Sequence, residues 1–235
     1  NFFGSDLLYK NFMQKNNIVA SHWLGWLLSG LLIVWINRYT NWDTGLSQIF
    51  FDDHSNSFPL KQNELIGLIF HEGIRWVAAM IWIGLVIATI FQKSKQTRFE
   101  IVHILIVSLL SAVVVSLLKA SSAHSCPWDL AEYGGMANYN RLFEHGVNTT
   151  NLGPGKCFPS GHASTAFMWI VLLYSPLAWL TSHRKLIGAL LFAMGLLASG
   201  VQIMKGAHFL SHVLATAWIC WGVALICREL HNIKA

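Results

Sequence analysis

Long blocks of Leu, Ile, Val, Ala and Trp recur along the chain, and they decide its fold class before any motif is considered. A helix crossing the hydrocarbon core of a bilayer needs roughly 20 mostly apolar residues. Six segments meet that requirement: 18 to 36, 65 to 91, 99 to 118, 162 to 181, 184 to 203 and 208 to 227. Barrel strands would alternate polar and apolar residues over about 10 positions, whereas these blocks are continuous. Charged residues make up 11% of the 235 and apolar residues 54%. Ordinary soluble domains carry about 25% charge, so most of this surface cannot face water. The expected fold is all-α, an integral membrane bundle of six transmembrane helices forming one domain over residues 1–235.

The formal net charge of +5 raises the question of nucleic acid, but the sixteen basic residues are dispersed between the apolar spans and form no stripe. The bilayer is the expected partner, and the eleven tryptophans suit interfacial belts. Lys10 and Lys15 precede the first span, Lys93, Lys95 and Arg98 join the second to the third, Arg184 and Lys185 join the fourth to the fifth, and Arg228 and Lys234 end the chain. By the positive-inside rule these short basic segments are cytoplasmic. Segments 37 to 64, 119 to 161 and 204 to 207 then share the opposite face. Oligomeric state is not legible, and a chain starting at Asn1 leaves open whether residues precede it.

Every chemistry-bearing motif falls on that opposite face. Pro159-Ser160-Gly161-His162 precedes the fourth span, where unpaired N–H groups and the positive end of the helix dipole can hold a phosphate. Ser160 can add a hydroxyl, and Gly161 lets the backbone approach closely. Taken alone, the same residues also describe a turn with a serine cap. Lys119 ends the third span, a position that equally suits an interfacial anchor. His208 and His212 are spaced i, i+4, which on a sixth helix puts them on one face. Paired histidines at that spacing can chelate zinc, but His-Phe-Leu-Ser-His lacks the glutamate of a metalloprotease helix and no third ligand is evident. The expectation is therefore no metal and no cofactor.

With these residues in hand, the chain from about 99 onward resembles the type 2 phosphatidic acid phosphatase superfamily. That family carries Lys, six residues, Arg-Pro; then Pro-Ser-Gly-His; then Ser-Arg, five residues, His, three residues, Asp. Here the first motif reads Lys119, six residues, Cys126-Pro127; the second is intact; the third reads Val201-Gln202, five residues, His208, three residues, His212. The resemblance implies that His208 attacks phosphorus and becomes a phosphohistidine, while His162 protonates the leaving oxygen and later activates water. It implies that Lys119, Ser160 and the Gly161 and His162 amides neutralise the phosphoryl oxygens.

The departures are specific. Cys126 and Gln202 replace two arginines, and neither a thiol nor an amide reproduces a bidentate guanidinium. Lys205, three residues before His208, and Arg75, near the outer end of the second span beside His71 and Glu72, are the candidate replacements, with Arg141 a further one. A Glu72–Arg75 pair at i, i+3 is the competing reading. His212 stands where the family has aspartate; as a neutral ring it can accept a proton from His208 but offers no full negative charge. Asp129 and Glu132 are the loop acids that could supply the missing carboxylate.

Cys126 and Cys157 both fall on the non-cytoplasmic face, whereas Cys220 and Cys227 sit in the sixth span. In an oxidising periplasm, a Cys126–Cys157 disulfide would close a loop of about 30 residues, stabilise by about 3–4 kcal/mol, and account for cysteine where the family has arginine. The resemblance thus implies a multi-pass protein of a bacterial inner membrane with a periplasmic site. It would hydrolyse a lipid phosphate or diphosphate: undecaprenyl diphosphate, phosphatidylglycerol phosphate, phosphatidic acid or a lipid A phosphate. A lipid-to-lipid phosphotransferase and a non-catalytic lipid-phosphate carrier are the alternatives.

Overall fold

A computed structural model describes residues 2–144 and 151–234, with the side chains of 2–18, 71 and 232–234 outside that description. Helix α1 (Phe2–Tyr39) contains no proline and runs through the first apolar block and past both its ends. Its last turn leaves carbonyls without helical partners. Arg141 satisfies them, donating from Nη1 to the carbonyls of Asn37, Arg38 and Thr40 at 2.8, 3.0 and 2.8 Å. The short helix α2 (Trp42–Gln48) follows. The second block starts at α3 (Glu64–Ile66), where the Asn63 side chain caps the Ile66 N–H. It continues through a π-helical stretch, Gly67–Gly73, into α4 (Ile74–Phe91). Helix α5 (Lys95–Ala120) is capped by Ser94, whose hydroxyl accepts from the Thr97 N–H. After the long connection come α6 (Gly161–Phe167), α7 (Ala178–Ser182), α8 (Arg184–Met204) and α9 (Leu210–Lys234).

Among the described residues, five helices are long and apolar enough to cross a membrane: Val19–Tyr39, Glu64–Phe91, Lys95–Ala120, Arg184–Met204 and Leu210–His231. The all-α membrane bundle stands; the fourth expected span, 162 to 181, does not reach that length as one helix. That segment is a shorter apolar helix, Gly161–Tyr174, whose second half is a 3-10 helix, Met168–Tyr174. Pro176 explains the break: it brings no N–H to a helix and disfavours helical geometry at the residue before it. Ser175 is accordingly extended, with φ −67° and ψ 138°. Trp169 and Val171 of this segment are buried with Ile104, Val107, Leu180, Leu191 and Ala224, so it lies among the other helices rather than against lipid.

Helix α9 is the centre of the bundle, packing on α1, α5 and α6, and it is the most buried of the candidate spans. Its seam with α1 is fixed by Trp26 and Trp218, whose rings stack at 4.4 Å. Each indole N–H donates to the other's main-chain carbonyl, at 3.0 and 2.8 Å, which satisfies two polar groups that lipid cannot. The outward faces expose Leu31, Ile83, Phe91, Leu117 and Phe192, an apolar surface that only a bilayer accommodates.

At one end of the bundle, segments 40–63 and 121–142 fold together as a cap. Phe58, Leu130, Tyr133, Ala137 and Phe209 form its core. The Tyr133 hydroxyl donates to the Thr44 carbonyl at 3.0 Å, joining the two segments. Burial drives the Tyr133 phenol up to about 12. Between α8 and α9 the chain reverses through Gly206. The Gly206 N–H bonds the Ile203 carbonyl and the Ala207 N–H the Gln202 carbonyl, the paired bonds of a Schellman stop. Gly206 has φ +70°, and a Cβ there would enter the Phe58 ring, so only glycine serves.

Candidate active site

The Pro-Ser-Gly-His turn is bolted to α9 through its backbone. The Ser160 N–H donates to the His212 carbonyl at 3.1 Å, and the Thr216 hydroxyl lies 2.9 Å from both the Ser160 and His212 carbonyl oxygens. The Ser160 hydroxyl accepts from the Ala163 N–H at 3.4 Å, which makes it the cap of α6. Ser160 is fully buried, so its first duty is to fix the helix start from which Gly161 and His162 project. The Lys119 ammonium reaches this start: Nζ lies 3.5 Å from where a Gly161 side chain would begin. Lys119, Gly161 and His162 are all partly exposed, and they form the open side of the site.

His208 sits behind them. The sequence places it on a sixth helix with His212, but the Schellman stop delays α9 until Leu210, so His208 stands on a non-helical stretch ahead of the helix. Its Nε2 is 3.4 Å from His162 Nδ1, and its Nδ1 faces the Cys157 sulfur at 3.5 Å. Burial, and then the charges of His212, His162 and Lys119, hold the His208 pKa well below the usual histidine range, with a hydrogen bond to the Cys157 backbone carbonyl opposing. A ring in that setting stays neutral at pH 7 and keeps a lone pair for attack. His212 lies edge-on to His208 with ring centroids 5.9 Å apart, and its Nδ1 is buried without a hydrogen-bond partner among the described residues. The direct ring-to-ring bond considered for an aspartate substitute is not formed; what flanks Nδ1 of His208 is Cys157.

Cys126 and Cys157 are joined as a disulfide, with Cα atoms 5.2 Å apart. The crosslink sets the first motif against the second. Two main-chain bonds run beside it, Lys156 N–H to the Ser122 carbonyl at 2.7 Å and Cys157 N–H to the His124 carbonyl at 2.9 Å. A third, from the Trp128 N–H to the Gly206 carbonyl at 3.0 Å, ties the first motif to the stretch carrying His208. Cys157, His208 and His212 lie within ligand distance of one another, but a sulfur already bonded to Cys126 is no thiolate, and two imidazoles fall short of a zinc set. With a separation of 31 residues, reduction is expected to lower stability by about 3–4 kcal/mol. Thermal melts with and without reductant, compared with a Cys126→Ser/Cys157→Ser variant that reductant should no longer affect, check this.

The arginine substitutes do not gather at the histidines. Arg75 pairs with Glu72 at 3.2 Å, on an exposed face of the second span. Lys205 ends α8 and extends toward Gly67, its Nζ 3.6 Å from where a side chain there would begin. Neither hydrogen-bonds His162 or His208 among the described residues. Arg141 is committed to the end of α1, Glu132 is exposed, and Asp129 makes no bond to a site histidine. The side chain of His71 lies outside the described residues.

The carboxylate at this site comes instead from Asp43, which the sequence did not single out. It is 1% exposed. Its Oδ1 accepts from the Ser211 N–H at 2.8 Å, and its Oδ2 from the Ser211 hydroxyl at 2.6 Å and from Asn37 Nδ2 at 2.9 Å. Asp43 therefore caps the first turn of α9 from another helix, three residues after His208, where a negative charge meets the positive end of the dipole. His124 was also missed. It packs on Phe158 at 5.4 Å, and its buried Nε2 has no hydrogen-bond partner among the described residues. Burial lowers its pKa.

A family model for the PAP2 superfamily matches residues 100–234. That stretch is more than half of the chain and holds Lys119, the Pro-Ser-Gly-His turn and His208. The chain belongs to the PAP2 superfamily, whose members are phosphatases acting on phosphorylated substrates, often lipids. It is a multi-pass membrane member of it. Searches among curated proteins and among solved structures returned no match.

Proposed function

We propose that the protein is a membrane lipid phosphatase that works through a phosphohistidine on His208. The observation that supports a lipid is a cleft of about 600 Å³ between α4, α5 and α6, walled by Trp76, Ala79, Trp82, Leu109, Ala112, Thr165 and Met168. On α5, positions 109, 112 and 119 share a face at helical spacing; on α6, His162 and Thr165 do the same. The cleft is therefore the apolar continuation of the faces that carry Lys119 and His162. A phosphate at those two groups would leave its hydrocarbon chain in the cleft, and Arg75 borders the same cleft at its polar margin.

The chemistry runs on this chain's own groups. With its proton on Nδ1, beside Cys157, His208 presents the Nε2 lone pair on the side facing His162. The P–N bond forms on Nε2 as the bond from phosphorus to the lipid oxygen breaks, and that oxygen takes its proton from His162. Water then gives a proton to His162 and attacks phosphorus, releasing phosphate and restoring His208. Lys119 and the Gly161 and His162 amides supply charge and donors for the phosphoryl oxygens. Ser160 acts mainly as the cap that aims the amides. The basic segments at the opposite end of the bundle support a cytoplasmic placement for that end and a periplasmic site in a bacterial inner membrane.

The lipid reading is tested by filling the cleft. Ala112→Trp is expected to lower hydrolysis of long-chain phosphatidic acid in vesicles by about tenfold or more, the scale of a displaced hydrocarbon segment. Turnover of p-nitrophenyl phosphate should change less than about twofold. Equal retention of both activities would sink the assignment of the cleft to the lipid chain.

A further inference from the structure

At the end of the bundle remote from His208 lies a second pocket of about 360 Å³, lined by His22 of α1, Tyr174, Arg184 and Lys185 of α8, and Arg228 of α9. Helix α8 runs from this pocket to the site, and its 21 residues span about 30 Å at 1.5 Å per residue. The pocket is thus at the other membrane face from the chemistry.

Its electrostatics are unbalanced. Among the described residues no carboxylate lines it, and Arg184, Lys185 and Arg228 form no ion pair. Arg184 and Lys185 occupy the first turn of α8, the end of a helix dipole that disfavours cations, and that turn holds no acidic residue and no side-chain cap. The Arg228 guanidinium lies over the Tyr174 ring at 5.3 Å, and its Nη1 is buried with no hydrogen-bond partner among the described residues. The Tyr174 hydroxyl accepts from Trp221 Nε1 at 2.6 Å and lies 3.5 Å from His22 Nδ1, so it is held within the wall of the pocket. Three cations from two helices, α8 and α9, converge on space that a phosphate would fill.

The pocket also continues into an apolar groove of about 450 Å³ between α1 and α9. His22, Leu173 and Tyr174 line both, and Leu32, Ile36 and Leu214 extend the groove along the membrane normal. A free phosphate has no use for that extension, whereas a phospholipid fits both parts. We infer that this is a binding site for an anionic phospholipid of the leaflet opposite the catalytic histidines, its phosphate held by Arg184, Lys185 and Arg228 and one chain lying along α1. Basic pockets between membrane helices recognise lipid headgroups in this way.

The test uses the purified, delipidated protein and its thermal melt. Dioleoyl phosphatidylglycerol should raise the melting temperature in a saturable way, dioleoyl phosphatidylcholine should not, and inorganic phosphate at matched concentration should have little effect. Arg184→Gln/Arg228→Gln should weaken the phosphatidylglycerol response about tenfold or more, from lost charge-assisted bonds, while p-nitrophenyl phosphate turnover at the far end persists. Should the double variant fold poorly, Gly188→Leu serves instead. A first side-chain carbon there sits 3.8 Å from Leu173, an ordinary contact, and the remainder obstructs the pocket. A phosphatidylglycerol response unchanged in both variants would overturn the site. A response to inorganic phosphate as large as that to the lipid would overturn its assignment to a phospholipid.

Discussion

Asparagine at position 208 is expected to abolish phosphate release, with kcat/KM falling by about 10³-fold or more, the scale of losing a covalent nucleophile. The packing of the site makes the loss specific. His208 is buried, its Nδ1 faces Cys157 and its Nε2 faces His162, so asparagine fills much of the space without offering a nucleophilic nitrogen. His162→Ala should behave differently. Removing the acid costs about 10²–10⁴ in kcat/KM on a poor alkoxide leaving group, but far less in kcat/KM on p-nitrophenyl phosphate, whose leaving oxygen departs without a proton; loss of the base for the water step lowers kcat on both. Steady-state kcat and kcat/KM of the two variants on phosphatidic acid and on p-nitrophenyl phosphate check both. A His208 variant that keeps wild-type turnover, or a His162 variant whose kcat/KM falls equally on the two substrates, would contradict the assigned roles.

The second large effect is expected at Asp43, which touches neither substrate nor histidine and acts as a positioning residue. Asp43→Asn keeps one acceptor for the Ser211 N–H but turns the other oxygen into a donor facing Asn37 Nδ2, itself a donor. The two hydrogen bonds that Oδ2 accepts from Ser211 and Asn37 lose their charged acceptor and a like donor pair is created with Asn37, at a cost of about 2–3 kcal/mol. Because the capped turn begins two residues after His208, part of that cost should appear in kcat, a fall of about 10- to 100-fold, with KM within about threefold. A purely structural role would lower the melting temperature and leave the kcat of the folded fraction unchanged, so kcat per folded molecule separates the two readings.

The unequal legibility of the molecule in its sequence has physical reasons. Continuous apolar runs report transmembrane helices because lipid demands a satisfied backbone over a fixed thickness, and five spans were readable on that ground. The helix after Pro-Ser-Gly-His is shorter than the same criterion asks, since a helix surrounded by protein need not be 20 residues long; Pro176 was the available sign of its end. His208 was placed on a helix by its i, i+4 spacing with His212, while Gly206 three residues later than Ile203 already carried the stop. Asp43 and Arg141 were harder. A loop carboxylate or guanidinium ordinarily faces water, and only the tertiary approach of α2 to α9, and of segment 141–142 to the end of α1, converts each into a helix cap. The same logic applies to the pocket of Arg184, Lys185 and Arg228: in sequence they are orientation signals, in space they converge.

The central claim is the phosphorylated nitrogen of His208, and it is most directly met by trapping. Enzyme mixed with ³²P-labelled phosphatidic acid and quenched in alkali within one turnover should carry label that is stable to base and labile to acid. Peptide mapping should place it on the segment containing His208, and His208→Asn should carry none. Turnover of the wild-type enzyme without any such label at any quench time, or label on His162 instead, would contradict the account.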